Sequence, residues 1–410
     1  MEIDKQVKSI IAYGECCDHC LGRFFGKRSH GLSNDERGRS LKIALALDEN
    51  LPYTKFSGTC WICGNFFDAI PEWADRVLQS VQDIEFATFL IGCRVPPLIA
   101  ENEEMVWSDL SLADPEPFKS EVNREVGKAV SARSGKIVDF KKPDIVVILD
   151  LSAGLAEVQI NSVFFYGRYQ KHERGIPQTH WDCRECKGAG CEKCNFTGAQ
   201  YLDSVEQLIG RPVIIAFEAQ NAVLHGAGRE DIDARMIGSG RPFILEVVEP
   251  RKRSLDLAAL EQEINRTAEG RVSVSIKRWS ERAEVETLKS NKAHKKYRIL
   301  VEVDGALSAD EFANALKTLQ GATIHQRTPE RVAHRRADKI RERTVLDIEY
   351  AGVQDGKFVV EILGEAGLYI KELVSGDGGR TRPSLAEILD RPAHVFSLDV
   401  VQVEGVNEGD

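Results

Sequence analysis

Gly226-Ala-Gly-Arg-Glu-Asp-Ile-Asp-Ala-Arg-Met236 is the stretch on which the reading of this chain turns. Two glycines open a turn, and an arginine stands two residues before Asp231. The apolar run Val213–Phe217 reads as the strand that feeds this loop. A carboxylate carried on such a loop can take a proton or attack an electrophile. A lone loop acid is usually just solvated, so the flanking sequence has to decide.

Outward from the loop, from about residue 200 onward, strands and helices mix without a βαβ rhythm, which points to an α+β fold. Strands are expected at Val213–Phe217, Phe243–Val248, Tyr297–Val303, Val345–Tyr350 and Lys357–Ile362. The last two flank Gly352-Val-Gln-Asp-Gly, a hairpin turn. Apolar residues three and four apart predict helices at Leu255–Asn265 and Ala309–Leu319. Upstream, residues 72–182 look like an α/β unit. Thr88-Phe-Leu-Ile-Gly-Cys and Ile145-Val-Val-Ile-Leu-Asp-Leu read as buried strands, and residues 119–134 as a charged helix. Ser33-Asn-Asp-Glu caps a further helix within residues 1–71. A cysteine knuckle at 183–198 is the expected boundary, with the catalytic half running over 199–410.

Eight of the ten cysteines form four Cys-x-x-Cys pairs, leaving Cys16 and Cys93. In a chain of this size without a secretory leader, that spacing reads as zinc. Cys17, Cys20, Cys60 and Cys63 would make one four-thiolate site, closed to substrate and therefore structural. Cys183, Cys186, Cys191 and Cys194 form a second possible site, if the Gly188-Ala-Gly linker turns tightly. A redox dithiol is disfavoured, because no thioredoxin-like context surrounds either pair.

The acidic N-terminal residues and the absence of a long apolar run lead to the expectation of a cytoplasmic protein without a membrane segment. A net charge of −10 argues against a polyanionic partner, but the charge is unevenly spread. Residues 251–300 hold 13 Lys/Arg against 7 Asp/Glu, and residues 351–410 hold 5 against 11. Residues 327–343 hold seven cations, and Arg331, Arg335 and Arg336 among them are candidate RNA-phosphate contacts. Tyr166-Gly-Arg-Tyr-Gln-Lys-His-Glu-Arg mixes aromatics with cations, which suits RNA recognition by the accessory half.

The loop Gly228-Arg-Glu-Asp resembles the active-site loop of pseudouridine synthases. Three longer stretches resemble one branch, the archaeal-type tRNA pseudouridine synthases acting on T-loop uridines 54 and 55. They are Gly238-Ser-Gly-Arg-Pro-Phe, Gln326-Arg-Thr-Pro-Glu-Arg-Val-Ala-His-Arg-Arg-Ala-Asp, and Gly367-Leu-Tyr-Ile-Lys-Glu-Leu-Val-Ser-Gly-Asp-Gly-Gly-Arg-Thr-Arg-Pro-Ser. The resemblance covers the whole chain. It implies a catalytic domain built on a mixed or antiparallel sheet, an accessory α/β THUMP-type RNA-binding domain and an N-terminal zinc module.

The resemblance also implies roles. Asp231 would be the catalytic carboxylate, whether as nucleophile or as base. Arg229 would fill the stack vacated by an everted uridine, or bind phosphate. Tyr297 would stack on the uracil, Tyr369 would line the same pocket, and Lys371 would pair with Asp231. Ile388 or Leu389 would form an apolar floor. The implied partner is the tRNA T arm; no catalytic cofactor and no protein partner are expected. Thiolation enzymes and methylases that share a THUMP domain need phosphate- or dinucleotide-binding glycine loops, which Gly226-Ala-Gly-Arg-Glu-Asp does not provide. The remaining alternative is a zinc-bearing RNA-binding adaptor without catalysis.

Overall fold

The structure is a computed structural model that describes residues 2–113 and 115–404; the side chains of Glu2 and Arg335 lie outside that description. It divides into two units, residues 1–161 with 251–253, and residues 162–250 with 254–410.

The first unit contains α1 (Glu2–Tyr13), α2 (Asp18–Arg23), α3 (Asn34–Asp48), α4 (Ile70–Ser80), β1 (Thr88–Arg94), α5 (Pro97–Leu110), α6 (Phe118–Ser134), β2 (Ile137–Val138), β3 (Ile145–Asp150) and β4 (Leu155–Ile160). Its sheet runs β2-β1-β3-β4, with β1 parallel to β2 and β3, and β4 antiparallel to β3. Alternation along β3 buries Ile145, Val147 and Leu149, while α6 buries Phe118, Val122, Val126 and Val130 at four-residue spacing. The two periods meet in one core. The expected cap before α3 is made: the Ser33 N–H donates to the Glu36 carboxylate at 2.8 Å.

Helices α2 and α3 touch backbone to backbone through Gly22 and Gly38. A Cβ on Gly22 would lie 1.7 Å from the Asn34 carbonyl oxygen, and one on Gly38 would lie 1.9 Å from that of Asp18. No side chain can move aside to make room. Gly38→Ala is therefore expected to destabilise this unit by about 1–3 kcal/mol or more, against the small gain alanine normally gives inside a helix. Urea titration of wild type and variant measures it.

The second unit contains β5 (Val163–Lys171), α7 (Val205–Phe217), β6 (Asn221–Gly226), β7 (Arg235–Val248), α8 (Leu257–Thr267), β8 (Val272–Ser280), α9 (Arg282–Ser290), β9 (Lys295–Val303), α10 (Ala309–Leu319), β10 (Thr323–Arg327), β11 (Ile340–Gln354), β12 (Lys357–Gly364), α11 (Ile370–Ser375), β13 (Thr381–Arg382), α12 (Leu385–Leu389) and β14 (Ala393–Val403). One ten-stranded sheet runs β13-β10-β11-β12-β9-β14-β7-β5-β8, with β6 also paired to β7. Every pairing is antiparallel except β14 with β7, where Asp399 faces Arg235 and Val400 faces Met236. The sheet is therefore mixed, as the family resemblance implied.

Three expectations change. Val213–Phe217 is the end of a helix, not a strand. The apolar spacing begins earlier, at Val205, and Val205, Leu208, Ile209, Val213 and Phe217 bury one face. Ser204 caps this helix by accepting from the Gln207 N–H at 3.1 Å. The strand that feeds the Asp231 loop is β6. Next, residues 162–182 fall in the second unit, because β5 is hydrogen-bonded on both sides, to β7 and β8. Part of the aromatic and basic stretch 166–174 accordingly faces inward: Tyr169 and Lys171 are fully buried, whereas His172 is exposed, and the half-buried Arg174 pairs with Asp399 at 2.5 Å. Finally, Arg251–Arg253 groups with the first unit, where Arg253 donates to the Asp144 carbonyl at 2.8 Å. Among the described residues, no helix is long and apolar enough to cross a membrane.

Candidate active site

The loop between β6 and β7 is built so that neighbouring side chains take opposite directions. Gly228 adopts φ +78°, a conformation that side chains disfavour. Glu230 turns inward and is buried against Arg241 at 2.8 Å. The Tyr169 hydroxyl donates to the Glu230 carboxylate at 3.0 Å, and Gln178 donates to both the Tyr169 oxygen (2.8 Å) and the Gly228 carbonyl (2.9 Å). Arg241 also donates to the Ala227 carbonyl at 2.7 Å. Beneath the next turn, the buried Lys171 ammonium donates to the carbonyls of Ile176 (3.0 Å), Asp231 (3.2 Å) and Ile232 (3.1 Å). A buried ion pair surrounded by such bonds fixes a conformation even where its net contribution to stability is small.

With its backbone held from behind, Asp231 points its carboxylate into a cavity of about 330 Å³. Tyr297, Tyr369, Arg229, Lys371, Arg331 and Arg336 line the same cavity. Sequence reasoning thus named six side chains that the fold does bring together with Asp231.

Their pairings differ from the expected ones. The cation nearest to Asp231 is Arg331, at 3.0 Å, which also holds the buried Glu372 at 2.6 Å. Lys371 sits 2.7 Å from Asp233 and 3.5 Å from Asp231, so its main partner is Asp233 rather than the expected Asp231. Arg331 comes from the turn Glu330–Arg335 and Lys371 from α11, so the carboxylate meets cations on two elements. Arg336 donates to the Tyr369 hydroxyl at 2.8 Å. The Tyr369 backbone is pinned twice by Gln326, through its N–H (2.8 Å) and its carbonyl (2.9 Å). The Arg335 side chain lies outside the described residues. Ile388, expected as the floor, packs from α12 against the main core and does not line the cavity. Val332, Leu368, Ile370, Leu398 and Val400 supply the apolar lining instead. Leu398 and Val400 were missed because β14 reads as an ordinary alternating strand; only its place beside β7 brings it to the loop.

Burial pushes the Tyr297 phenol up to about 12, so it carries its proton at neutral pH and is a donor. Lys295, which also lines the cavity, shows the opposite effect. Burial and the nearby Arg241 cation lower its pKa from 10.5 to about 8. The folded state carries the unfavourable Lys295 cation below about pH 8, and that penalty is relieved as pH rises toward 10.5. The cation available for phosphate is lost over the same interval. Affinity for tRNA should therefore fall more steeply between pH 7 and 9 in the wild type than in Lys295→Arg, which stays charged. Filter binding at fixed salt checks this.

Each cysteine quartet is assembled. The four sulfurs of Cys17, Cys20, Cys60 and Cys63 lie within 4.8 Å of one another, as do those of Cys183, Cys186, Cys191 and Cys194. Measured pairs are 3.7 Å (Cys17–Cys63), 3.9 Å (Cys183–Cys191), 3.8 Å (Cys186–Cys194) and 3.7 Å (Cys191–Cys194). A tetrahedron of thiolates about 2.3 Å from a central ion has edges of about 3.8 Å, whereas a disulfide needs about 2.05 Å. Backbone N–H groups of Gly190 and Gly198 point at Cys186 and Cys194 at 3.2 and 3.3 Å, as anionic sulfurs require. Both quartets can hold a metal ion. Cys16, the possible competitor of Cys17, is buried outside the quartet.

The family model described as "Pus10, C-terminal" matches residues 164–404, and "Pus10 THUMP domain, archaeal" matches residues 73–150. A protein of Methanothrix thermoacetophila named tRNA pseudouridine synthase Pus10 is 44% identical, over 97% of this chain and 93% of its own. Proteins of the same name from Halorubrum lacusprofundi and Pyrococcus furiosus are 47% and 36% identical, covering 96% and 99% of this chain and 95% and 99% of theirs. The class is thereby defined as a pseudouridine synthase, an isomerase, that carries a THUMP domain. The chain belongs to the Pus10 family of tRNA pseudouridine synthases.

Proposed function

We propose that this protein converts uridine to pseudouridine in the T loop of tRNA, at position 55 and also at 54, with Asp231 as the catalytic carboxylate. The observation that carries the reading is the shared cavity, in which Asp231, Tyr297 and Tyr369 meet beneath a rim of arginines. The reaction breaks the link between ribose C1′ and uracil N1, turns the base and joins C1′ to C5; the C5 hydrogen leaves as a proton and N1 takes one up. Asp231, paired with Arg331 at 3.0 Å and with Lys371 at 3.5 Å, either attacks the ribose or takes a proton from it as the base departs. The everted uracil would lie between Tyr297 and the apolar lining, with the Tyr297 phenol donating. Arg336 would exchange the Tyr369 hydroxyl for a phosphate of the T arm, with Arg335 in the same turn, and Arg331 would reach phosphate while keeping its ion pair with Asp231.

Both quartets are assigned structural zinc: four thiolates close the coordination shell and leave catalysis without a cofactor. The cytoplasm, where tRNA and reduced thiols coexist, is the proposed compartment. The test is a map of new pseudouridines on unmodified tRNA after incubation with the protein and no added cofactor. Modification at both 55 and 54 supports the reading, and modification at 55 alone removes position 54 from it; tRNA bound but unmodified would favour the adaptor role.

A further inference from the structure

The second cysteine quartet lies inside the unit that carries Asp231, and the arm that enters it, residues 178–181, touches the active-site loop. The knuckle is closed at its base by backbone bonds, Cys183 N–H to the Gly198 carbonyl at 2.7 Å and Gln200 N–H to the Trp181 carbonyl at 2.8 Å. Asp182 and Ala199 form an antiparallel bridge there. This closure sets Trp181 and Tyr201 edge to face, with ring centroids 5.8 Å apart. The Arg229 guanidinium lies over the Trp181 ring at 5.6 Å. Three residues before Trp181, Gln178 bonds the Gly228 carbonyl. The chain from 178 to 181 thus touches the loop at Gly228 and at Arg229, and the knuckle fixes the far end of that chain.

We propose that Trp181, clamped by the metal-closed Cys183–Cys194 knuckle, is a positioning residue that holds Arg229 at the mouth of the Asp231 cavity. Metal in this knuckle then has a consequence for RNA engagement as well as for stability. An indole is the best ring for a cation, so this contact can orient Arg229 for its part in RNA engagement. The inference rests on the proposed function only for what Arg229 does to RNA; the mechanical link stands without it.

The test uses the full chain and two readouts. Hydrogen–deuterium exchange of peptides spanning residues 226–234 is compared in wild type, Trp181→Leu, Trp181→Phe and Cys191→Ser/Cys194→Ser. Exchange should rise in the leucine and cysteine variants and stay near wild type in the phenylalanine variant, while β9 and β14 stay protected. Single-turnover pseudouridine formation should fall about two- to fivefold in Trp181→Leu, the size of one cation–π contact, with tRNA affinity nearly unchanged. Arg229→Ala should lose at least as much, and adding Trp181→Leu to it should deepen the loss no further.

Unchanged loop exchange in Trp181→Leu, or losses that add in the double variant, would overturn the proposal. If the cysteine variant loses protection throughout the sheet, Trp181→Leu alone decides, since it keeps all four thiols. An inactive wild type would remove the proposed function, yet the exchange result would still decide the mechanical link.

Discussion

Asp231→Asn is expected to reduce pseudouridine formation by about 10⁴-fold or more while leaving tRNA binding within a few-fold of wild type. The substitution keeps the size of the side chain and can still accept from Arg331, now 3.2 Å from Asp231 Oδ1. It removes only the charge, and with it both the nucleophile and the base. The supports of the loop are untouched, because Lys171 binds the Asp231 carbonyl and Glu230 is held by Arg241. A folded, binding-competent and inactive protein is the specific outcome. Asp233→Asn is the control. That acid is more exposed and pairs with Lys371, so its loss should cost no more than about tenfold by loosening one of two cations near Asp231. Tritium release from C5-labelled uridine in a tRNA transcript measures both variants. Substantial release by Asp231→Asn would transfer the chemistry to another group.

Cys20→Ser should produce the largest effect on stability. Cys20 is fully buried, and its quartet joins the start of α2 to the turn Cys60–Gly64 across a long loop. Metal binding to such a site is folding free energy, with apparent values on the order of 10 kcal/mol in small zinc domains. This unit has a core of its own, so a loss of several kcal/mol is expected rather than complete unfolding. The variant should lose one metal equivalent and keep the other. Its first calorimetric transition should move down or vanish, while the transition of the second unit persists. Full metal content with an unchanged melting profile would sink the assignment. The Cys183–Cys194 quartet predicts a different result: only Cys183 of its four members is buried and the knuckle packs little core, so its loss should act locally.

Much of this was legible from residue order, for identifiable reasons. The strands over Thr88–Arg94 and Ile145–Asp150 and the helix Ala309–Leu319 obey their own periods, so local pattern and tertiary burial coincide. The cysteine pairs carry their chemistry in their spacing, and the glycine-arginine-aspartate loop stands out by its flanks. Val213–Phe217 failed because a short β-branched run looks alike in a strand and in a buried helix; the helical phase appears only once Val205 and Leu208 are included. Ile388 failed because an apolar residue in a matching motif can face either side of its helix.

The residues themselves determined the α+β class, the assignment of eight cysteines to two quartets, and the presence of Asp231, Tyr297, Tyr369 and Arg331 as functional candidates. Tertiary structure alone decided which charges meet. Arg331 reaches Asp231 across 100 residues and Lys371 turns mainly to Asp233. Leu398 enters the cavity because β14 lies beside β7. Periodicity and spacing act within a few residues along the chain. Electrostatic pairing is set by distances between elements, and those exist only after the sheet has closed its order.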